Sequence, residues 1–286
     1  MNAEHWGLGF AFLIFGPVLG GLLAGLDRRL TARMQSRQGP PLLQPFYDVG
    51  KLLQKETTVV APLQTLLLRC FVFFMAISGF ILYLGSDLLL SLFAITVAGI
   101  FLSLAAFAAN SPYSEIGSSR DLLLTMAYEP MLILVPLGFY LATGSFRAAD
   151  IVAGSPWQVV ELSGTLLGFL FVLTIKLRKS PFDLSASHHG HQELVQGMMT
   201  DFSGRDLALV EIGHWYEYAI LLGWLYLFFA PWGWALAIPV ALALYFAEVL
   251  VDNTHARLKW SDAVRLSWWV TGILGASNLL ILSFSR

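Results

Sequence analysis

The sequence predicts an all-α, polytopic transmembrane helix bundle of about eight spans, with long polar loops and an amphipathic interfacial helix. Three observations carry that prediction. The 286-residue chain is 57% hydrophobic and 13% charged, with a mean hydropathy of +0.68, against roughly 25% charge in an ordinary soluble domain. Its apolar runs reach the ~20 residues needed to cross the hydrocarbon layer. Its basic residues alternate from one gap between runs to the next. Helices are the expected element because they satisfy their own backbone hydrogen bonds in lipid. No fixed-period repeat or low-complexity linker divides the chain, so residues 1–286 are read as a single integral membrane domain.

The predicted spans are 7–26, 62–84, 88–110, 121–144, 157–175, 208–230, 233–251 and 264–284. The first gap carries Arg28, Arg29, Arg33, Arg37, Lys51 and Lys55, and the third Arg120. The fifth has Lys176, Arg178, Lys179 and Arg205, and the seventh has Arg257 and Lys259, with Arg265 at its edge. The N-terminus and the second and sixth gaps hold none, while the fourth has only Arg147 and the C-terminus only Arg286. By the positive-inside rule this predicts a cell-membrane protein with both termini outside and the long polar loops cytoplasmic. The opening MNAEHWGLGF lacks a basic n-region and a small-residue cleavage site, so the first span is expected to be an uncleaved anchor. Cys70, the single cysteine, is read as a packing residue; alone it excludes an internal disulfide or a cysteine-ligated iron–sulfur cluster within this chain. The partners expected on composition include membrane lipid and no nucleic acid.

Two loops hold most of the pattern. From Leu42 the first becomes amphipathic: Leu42, Phe46, Val49 and Leu53 fall on one helical face, and Asp48, Lys51 and Lys55 on the other. Pro45 is tolerable only near the helix start. The helix is expected to lie flat at the interface, as an anchor, a pocket lip or a docking strip. The second loop, SPFDLSASHHGHQELVQGMMTDFSGRD at 180–206, groups His188, His189 and His191. They lack i,i+4 spacing and have no cysteine nearby, so no metal site is expected; proton handling, partner contact and a solvated loop stay open.

An ionisable group inside a span costs about 2.5–3.5 kcal/mol on insertion scales and is functional by default. Glu129 lies about 12 Å into its span, at 1.5 Å per residue, and is the first expected proton carrier; a protonated glutamate bonded to a neighbouring helix is the alternative. Glu211, His214, Glu217 and Tyr218 follow one side of the sixth span, where a histidine between carboxylates can pass a proton near neutral pH. Glu193 and Asp201 are expected to deliver protons to them. Glu248 lies towards the same side, and Arg69 is the expected counter-ion. Asp183 is expected to pair with Arg178 and fix the loop, and Glu161 either belongs to an exit path or faces water.

RMQSRQGPPLLQPFYDVGKLLQKE, at 33–56, resembles the R-x-Q-x-R-x-G-P…L-Q-P-x-x-D-x-x-K-L-x-x-K-E stretch of the complex I subunit 1 family, also called the H-type family. LRKSPFDL followed by QELVQG resembles its R-x-P-F-D-L…E-L-V-x-G, and AYEP its S-Y-E segment. The resemblance covers about residues 10–285 and is most specific in the first and third cytoplasmic loops. Two departures choose a branch. SASHHGHQ stands where the respiratory members carry a glutamate-rich segment, and Gly213, His214, Trp215 stand where they have G-E-Y. Both, with the shortness of the chain, are similar to the membrane subunit of energy-converting group 4 [NiFe] hydrogenases, closest to the Ech type.

That resemblance implies an ion-translocation coupling and docking subunit, itself non-catalytic, of a ferredoxin-linked hydrogenase complex. It implies as partners the [NiFe] hydrogenase large and small subunits, a ferredoxin-like iron–sulfur subunit and an antiporter-like membrane subunit. The Ni–Fe centre and iron–sulfur clusters are then expected in those partners and no cofactor in this chain. By motif, Glu129 and Glu193 fall on a route for protons, His214 replaces a family glutamate, and Arg37, Gln44, Asp48, Lys51, Arg178, Asp183 and the three loop histidines belong to coupling or docking loops. The second reading is a quinone-site subunit of a complex I-like dehydrogenase, which a bound quinone or a quinone-site inhibitor would reveal. A stand-alone antiporter fares worse, because none of Lys51, Lys55, Lys176, Lys179 and Lys259 is placed mid-span. A di-haem cytochrome would need paired deep histidines, and His214 is alone.

Overall fold

The computed structural model describes residues 3–56, 61–182 and 196–285. These residues fold into helices: α1 (Ala3–Met34), α2 (Gln44–Gln54), α3 (Pro62–Tyr83), α4 (Leu88–Phe107) and α5 (Pro112–Thr143) come first. The short α6 (Ala148–Val152) and α7 (Gln158–Glu161) lead into α8 (Ser163–Lys176). Then come α9 (Gly204–Phe229), α10 (Trp234–Thr254), α11 (Trp260–Val270) and α12 (Ser277–Ser285), the last two joined by a π-helical turn at Thr271–Ala276. No strand occurs among the described residues; an isolated bridge, Asp87 to Arg147, closes one end.

Among the described residues, six helices are long and apolar enough to cross a membrane: α1, α3, α4, α5, α10 and the continuous α11–α12. Trp6, Ile14, Phe73, Phe93, Ile281 and Phe284 stand exposed on their outer faces, as lipid-facing side chains do where every backbone group is already paired. The protein is an all-α polytopic membrane protein. The other two predicted spans are helical but atypical. The fifth breaks at Leu162 into α7 and the 14-residue α8, only about 21 Å long, short of the ~30 Å hydrocarbon layer. The sixth, α9, is long enough but carries Glu211, His214 and Glu217.

Helix ends differ from expectation in ways that build the site. α1 continues to Met34 rather than stopping at 26, so Asp27 and Arg28 are helical. α8 starts late, at Ser163, and ends at Lys176 as expected, yet the residues after it fall inside the bundle rather than in a solvated gap. The ends of α1, α8 and α10 meet the first turns of α9 at one end, called here the basic end.

Close backbone approach replaces hydrophobic force as the packing device, since lipid is as apolar as any side chain. A Cβ on Gly20 of α1 would lie 1.8 Å from the Trp215 carbonyl oxygen of α9. A Cβ on Gly213 would lie 2.0 Å from the Phe71 ring, and that ring meets His214 edge-on at 5.9 Å between centroids. Two glycines therefore set the depth and rotation of α9. α2 lies across this seam, burying Pro45 and Val49 and packing Phe46 and Leu52 on Trp215 and Ala208. The apolar face is thus 45/46/49/52. Leu42 and Leu53, expected on it, are exposed, because α2 starts only at Gln44 and its second turn faces α9.

Gly20→Ala is expected to force α1 away from α9 and to cost about 1–3 kcal/mol, as overpacking does. Thermal unfolding of the purified protein in detergent reads it, and an unchanged midpoint would contradict the contact.

Candidate functional site

The basic end encloses a cavity of about 270 Å³ between α1, α8, α9 and α10. Three cations enter it from one short stretch, Lys176, Arg178 and Lys179. Arg178 has φ 53°, a left-handed backbone that costs a non-glycine residue on the order of 1 kcal/mol. That turn sends neighbouring side chains inward together instead of alternating them towards solvent.

Each cation has its own partner. Lys176 Nζ donates to Glu217 Oε1 at 3.0 Å, with both side chains more than nine-tenths buried. Arg178 Nη1 lies 2.7 Å from His214 Nε2; a guanidinium only donates, so Nε2 accepts. Lys179 Nζ binds Asp27 on α1 and, at 3.3 Å, Asp252 Oδ2 on α10. The same Asp252 accepts from the Ser180 backbone N–H at 2.8 Å, and Ser180 Oγ donates to the His255 carbonyl at 3.0 Å. The segment after α8 is thus clipped to α10. Asp27 Oδ1 and Glu248 Oε2 are buried with no hydrogen-bond partner among the described residues, so each keeps an oxygen able to take a proton.

The energetics are balanced. At 3.0 Å the Lys176–Glu217 attraction is about 5 kcal/mol at an effective dielectric of 20, against a desolvation cost of several kcal/mol per ion.

Lys176, Arg178 and Glu217 also line a smaller cavity of about 30 Å³ on the α5 side, together with Asp121, Thr125 and Tyr128. Lys176 Nζ stands 5.7 Å from the Tyr128 ring centroid, and Thr125 Oγ1 and Tyr128 Oη are 3.2 Å apart. Asp121 Oδ2 accepts from Ser103 Oγ of α4 at 3.0 Å.

Of the residues singled out from sequence, Glu211, His214 and Glu217 line the polar cavity together, and Glu248 is buried on α10, one turn from Asp252 of the same cavity. Others stand elsewhere. Arg69 is on the exposed face of α3 and is not a counter-ion to the buried carboxylates, because α3 turns Leu68 and Phe71 inward instead. Asp201 accepts from Ser114 at the start of α5, away from the cluster it was expected to feed. Glu129 is half-buried and lines neither polar cavity; its neighbour Tyr128 takes the inward position. Asp183, His188, His189, His191 and Glu193 lie outside the described residues. So does the expected Asp183–Arg178 pair; Arg178 meets His214.

In the first loop, Gln44 Nε2 donates to Asp48 Oδ1 at 2.9 Å, and Asp48 pairs with Arg28 at 2.8 Å. Arg37 and Lys51 are exposed. Among the described residues no group of three or more His, Cys, Asp or Glu is placed to hold a metal ion.

Sequence reasoning missed Asp27, Asp121 and Asp252, and it placed Lys176 and Lys179 in a solvated gap. One signal was available: Glu248 and Asp252 are four apart on α10 and so share a face.

A second cavity, of about 690 Å³, is almost wholly apolar and runs between α1, α9 and α10 from His5 to Leu26, about the thickness of the hydrocarbon layer at 1.5 Å per residue.

The family model described as NADH dehydrogenase matches residues 8–283. Hydrogenase-4 component C of Escherichia coli (strain K12) is 28% identical over a 297-residue alignment, covering 88% of this chain and 92% of that protein. Formate hydrogenlyase subunit 4 of the same organism is 28% identical, covering 86% of this chain and 89% of that one. An H-type membrane subunit of the NADH-quinone oxidoreductase of Geobacter metallireducens is 29% identical, covering 94% of this chain and 93% of that one. Among solved structures, a chain of the archaeal membrane-bound sulfane sulfur reductase superposes with a TM-score of 0.81 at 22% identity, over 98% of this chain and 99% of that one, a likeness of fold.

Lys179→Met is expected to strand two carboxylates and to destabilise the protein by about 3–5 kcal/mol, the cost of breaking a buried pair from one side. Removing the exposed Arg28–Asp48 pair should cost no more than about 1 kcal/mol. Parallel thermal unfolding compares the two, and equal losses would mean the Lys179 contacts are not buried.

Proposed function

We propose, from the premise that this chain belongs to the NADH dehydrogenase family, the family of complex I subunit 1, that it is the ion-translocating coupling and docking subunit of a membrane-bound energy-converting [NiFe] hydrogenase complex. The observation that carries this is the buried Lys176–Glu217 pair, set in a polar cavity at the end of the bundle where the loops gather. The likeness to hydrogenase-4 component C and formate hydrogenlyase subunit 4 supports the hydrogenase branch, as does His214 in place of the family glutamate.

In this reading the [NiFe] large and small subunits and a ferredoxin-like iron–sulfur subunit dock on the basic end. Arg37, Gln44, Asp48 and Lys51 form one side of the docking surface and the 183–195 segment the other. Those partners hold the Ni–Fe centre and the clusters, and reduce protons with ferredoxin electrons. An antiporter-like subunit takes a lateral face of the bundle. The basic end faces the cytoplasm and both termini lie outside.

The coupling step belongs to this chain. Arg178, Lys179 and Ser180 precede the 183–195 segment directly, so a partner that pulls on that segment moves Arg178 off His214 and Lys179 off Asp27 and Asp252. His214 Nε2 then becomes free to accept a proton, and Asp27 and Asp252 lose a neutralising charge. Loss of positive charge near Glu217 favours its protonated form; return of the cations expels that proton. Glu211 and Glu248 store protons around the same cavity, and Glu193, in the 183–195 segment, delivers them.

A second reading, a quinone-site subunit, has one observation in its favour, the 690 Å³ apolar cavity. Extracting the native complex and assaying for bound quinone separates the two.

Lys176→Met in the native complex, reconstituted in vesicles, is expected to leave electron transfer within about twofold and to cut proton uptake by about tenfold or more, the scale of a lost acid–base group. Proton uptake that persists unchanged would refute the coupling role. For sidedness, a protease or impermeant label added to right-side-out vesicles should reach the C-terminus and not Lys51.

A further inference from the structure

We propose that Asp121 is the acid that takes the proton leaving the Lys176–Glu217 pair, opening a relay towards α4 and α5. The inference rests on the coupling role proposed above and names the next group on that path. Three observations support it. Asp121 shares with Lys176 and Glu217 the roughly 30 Å³ cavity beyond the pair, enough room for about two waters. Tyr128 lines that cavity together with Asp121, and its ring centroid stands 5.7 Å from Lys176 Nζ, so the ammonium faces α5 as well as Glu217 on α9. Ser103 Oγ, itself buried on α4, holds Asp121 Oδ2 at 3.0 Å and fixes the carboxylate in the cavity wall, leaving Oδ1 to take a proton. Glu129 lines neither polar cavity.

The step balances as a single proton transfer. It begins with Lys176 as ammonium, Glu217 protonated and Asp121 ionised. An Nζ–H bond of Lys176 breaks as an O–H bond forms on Asp121, directly or through a water. Glu217 then returns a proton to Nζ. The result is an ammonium, an ionised Glu217 and a protonated Asp121, with one proton moved from α9 to α5 and no electron transferred.

The test uses the native complex in vesicles, with a pH-sensitive dye for proton uptake and infrared difference spectra under turnover. Asp121→Asn is expected to lower uptake by about tenfold or more while electron transfer holds. Asp121→Glu should restore uptake. A turnover-dependent carboxyl band should vanish in Asp121→Asn and remain in Glu129→Gln. Normal uptake in Asp121→Asn alongside lost uptake in Lys176→Met would overturn the assignment to Asp121 and leave the coupling role standing; normal uptake in both would overturn both. If Asp121→Asn does not assemble, Ser103→Ala removes only the hydroxyl bonded to Oδ2 and should slow uptake several-fold, and an unchanged rate overturns the proposal.

Discussion

The structure depends on taking two lysines and a half-buried arginine, all from the four residues 176–179, out of water with a hydrogen-bond partner for each. Lys176, Arg178 and Lys179 cannot be taken from water singly, because each would cost several kcal/mol. Their partners come from three helices: Glu217 and His214 on α9 for Lys176 and Arg178, and Asp27 on α1 and Asp252 on α10 for Lys179. The requirement fixes the register of those helices more tightly than apolar packing in lipid can, since lipid rewards no particular apolar contact over another. It also explains two irregularities together. α8 must be short to bring its end inside, and Arg178 must adopt a left-handed backbone to keep the next side chain inside as well.

Glycine does the complementary work. With the charges deciding which residues face each other, Gly20 and Gly213 decide how closely the backbones approach. A bulkier α1–α9 seam would widen the polar cavity and let water screen the pairs, and a screened pair no longer responds to a small movement of Arg178. Packing and electrostatics are therefore one constraint here: the site is sensitive because it is tight.

The all-α membrane class was legible in the sequence because hydropathy is a long-range, redundant signal. The family was legible in the loops, where RMQSRQGPPLLQPFYDVGKLLQKE and LRKSPFDL retain a specific order of residues. The site was only half legible. Glu211, His214 and Glu217 announced themselves by interrupting an apolar helix. Asp27, Lys176 and Lys179 did not, because a charge just beyond an apolar run looks the same whether the helix ends in water or inside the bundle. Asp121 was hidden similarly: α5 begins at Pro112 rather than at 121, so a residue read as the edge of a span is well inside a helix. Glu129 shows the opposite effect. It lies inside a long apolar helix as read, but rotation about the helix axis, which depends on neighbours, turned Tyr128 inward instead.

Depth and direction thus carry different information, and coupling needs both. A carboxylate buried alone would stay protonated and inert, whatever its depth. One placed beside a cation gains an attraction that stands against its desolvation: about 5 kcal/mol between Lys176 and Glu217, against a cost of several kcal/mol per ion. The two cations beside that pair are held by Asp27 on α1, His214 on α9 and Asp252 on α10, and the stretch that carries them continues into the buried Pro181 and Phe182. The proposed coupling therefore has to reach the pair through contacts that these three helices share, and the glycine-set approach of α1 to α9 keeps those contacts close.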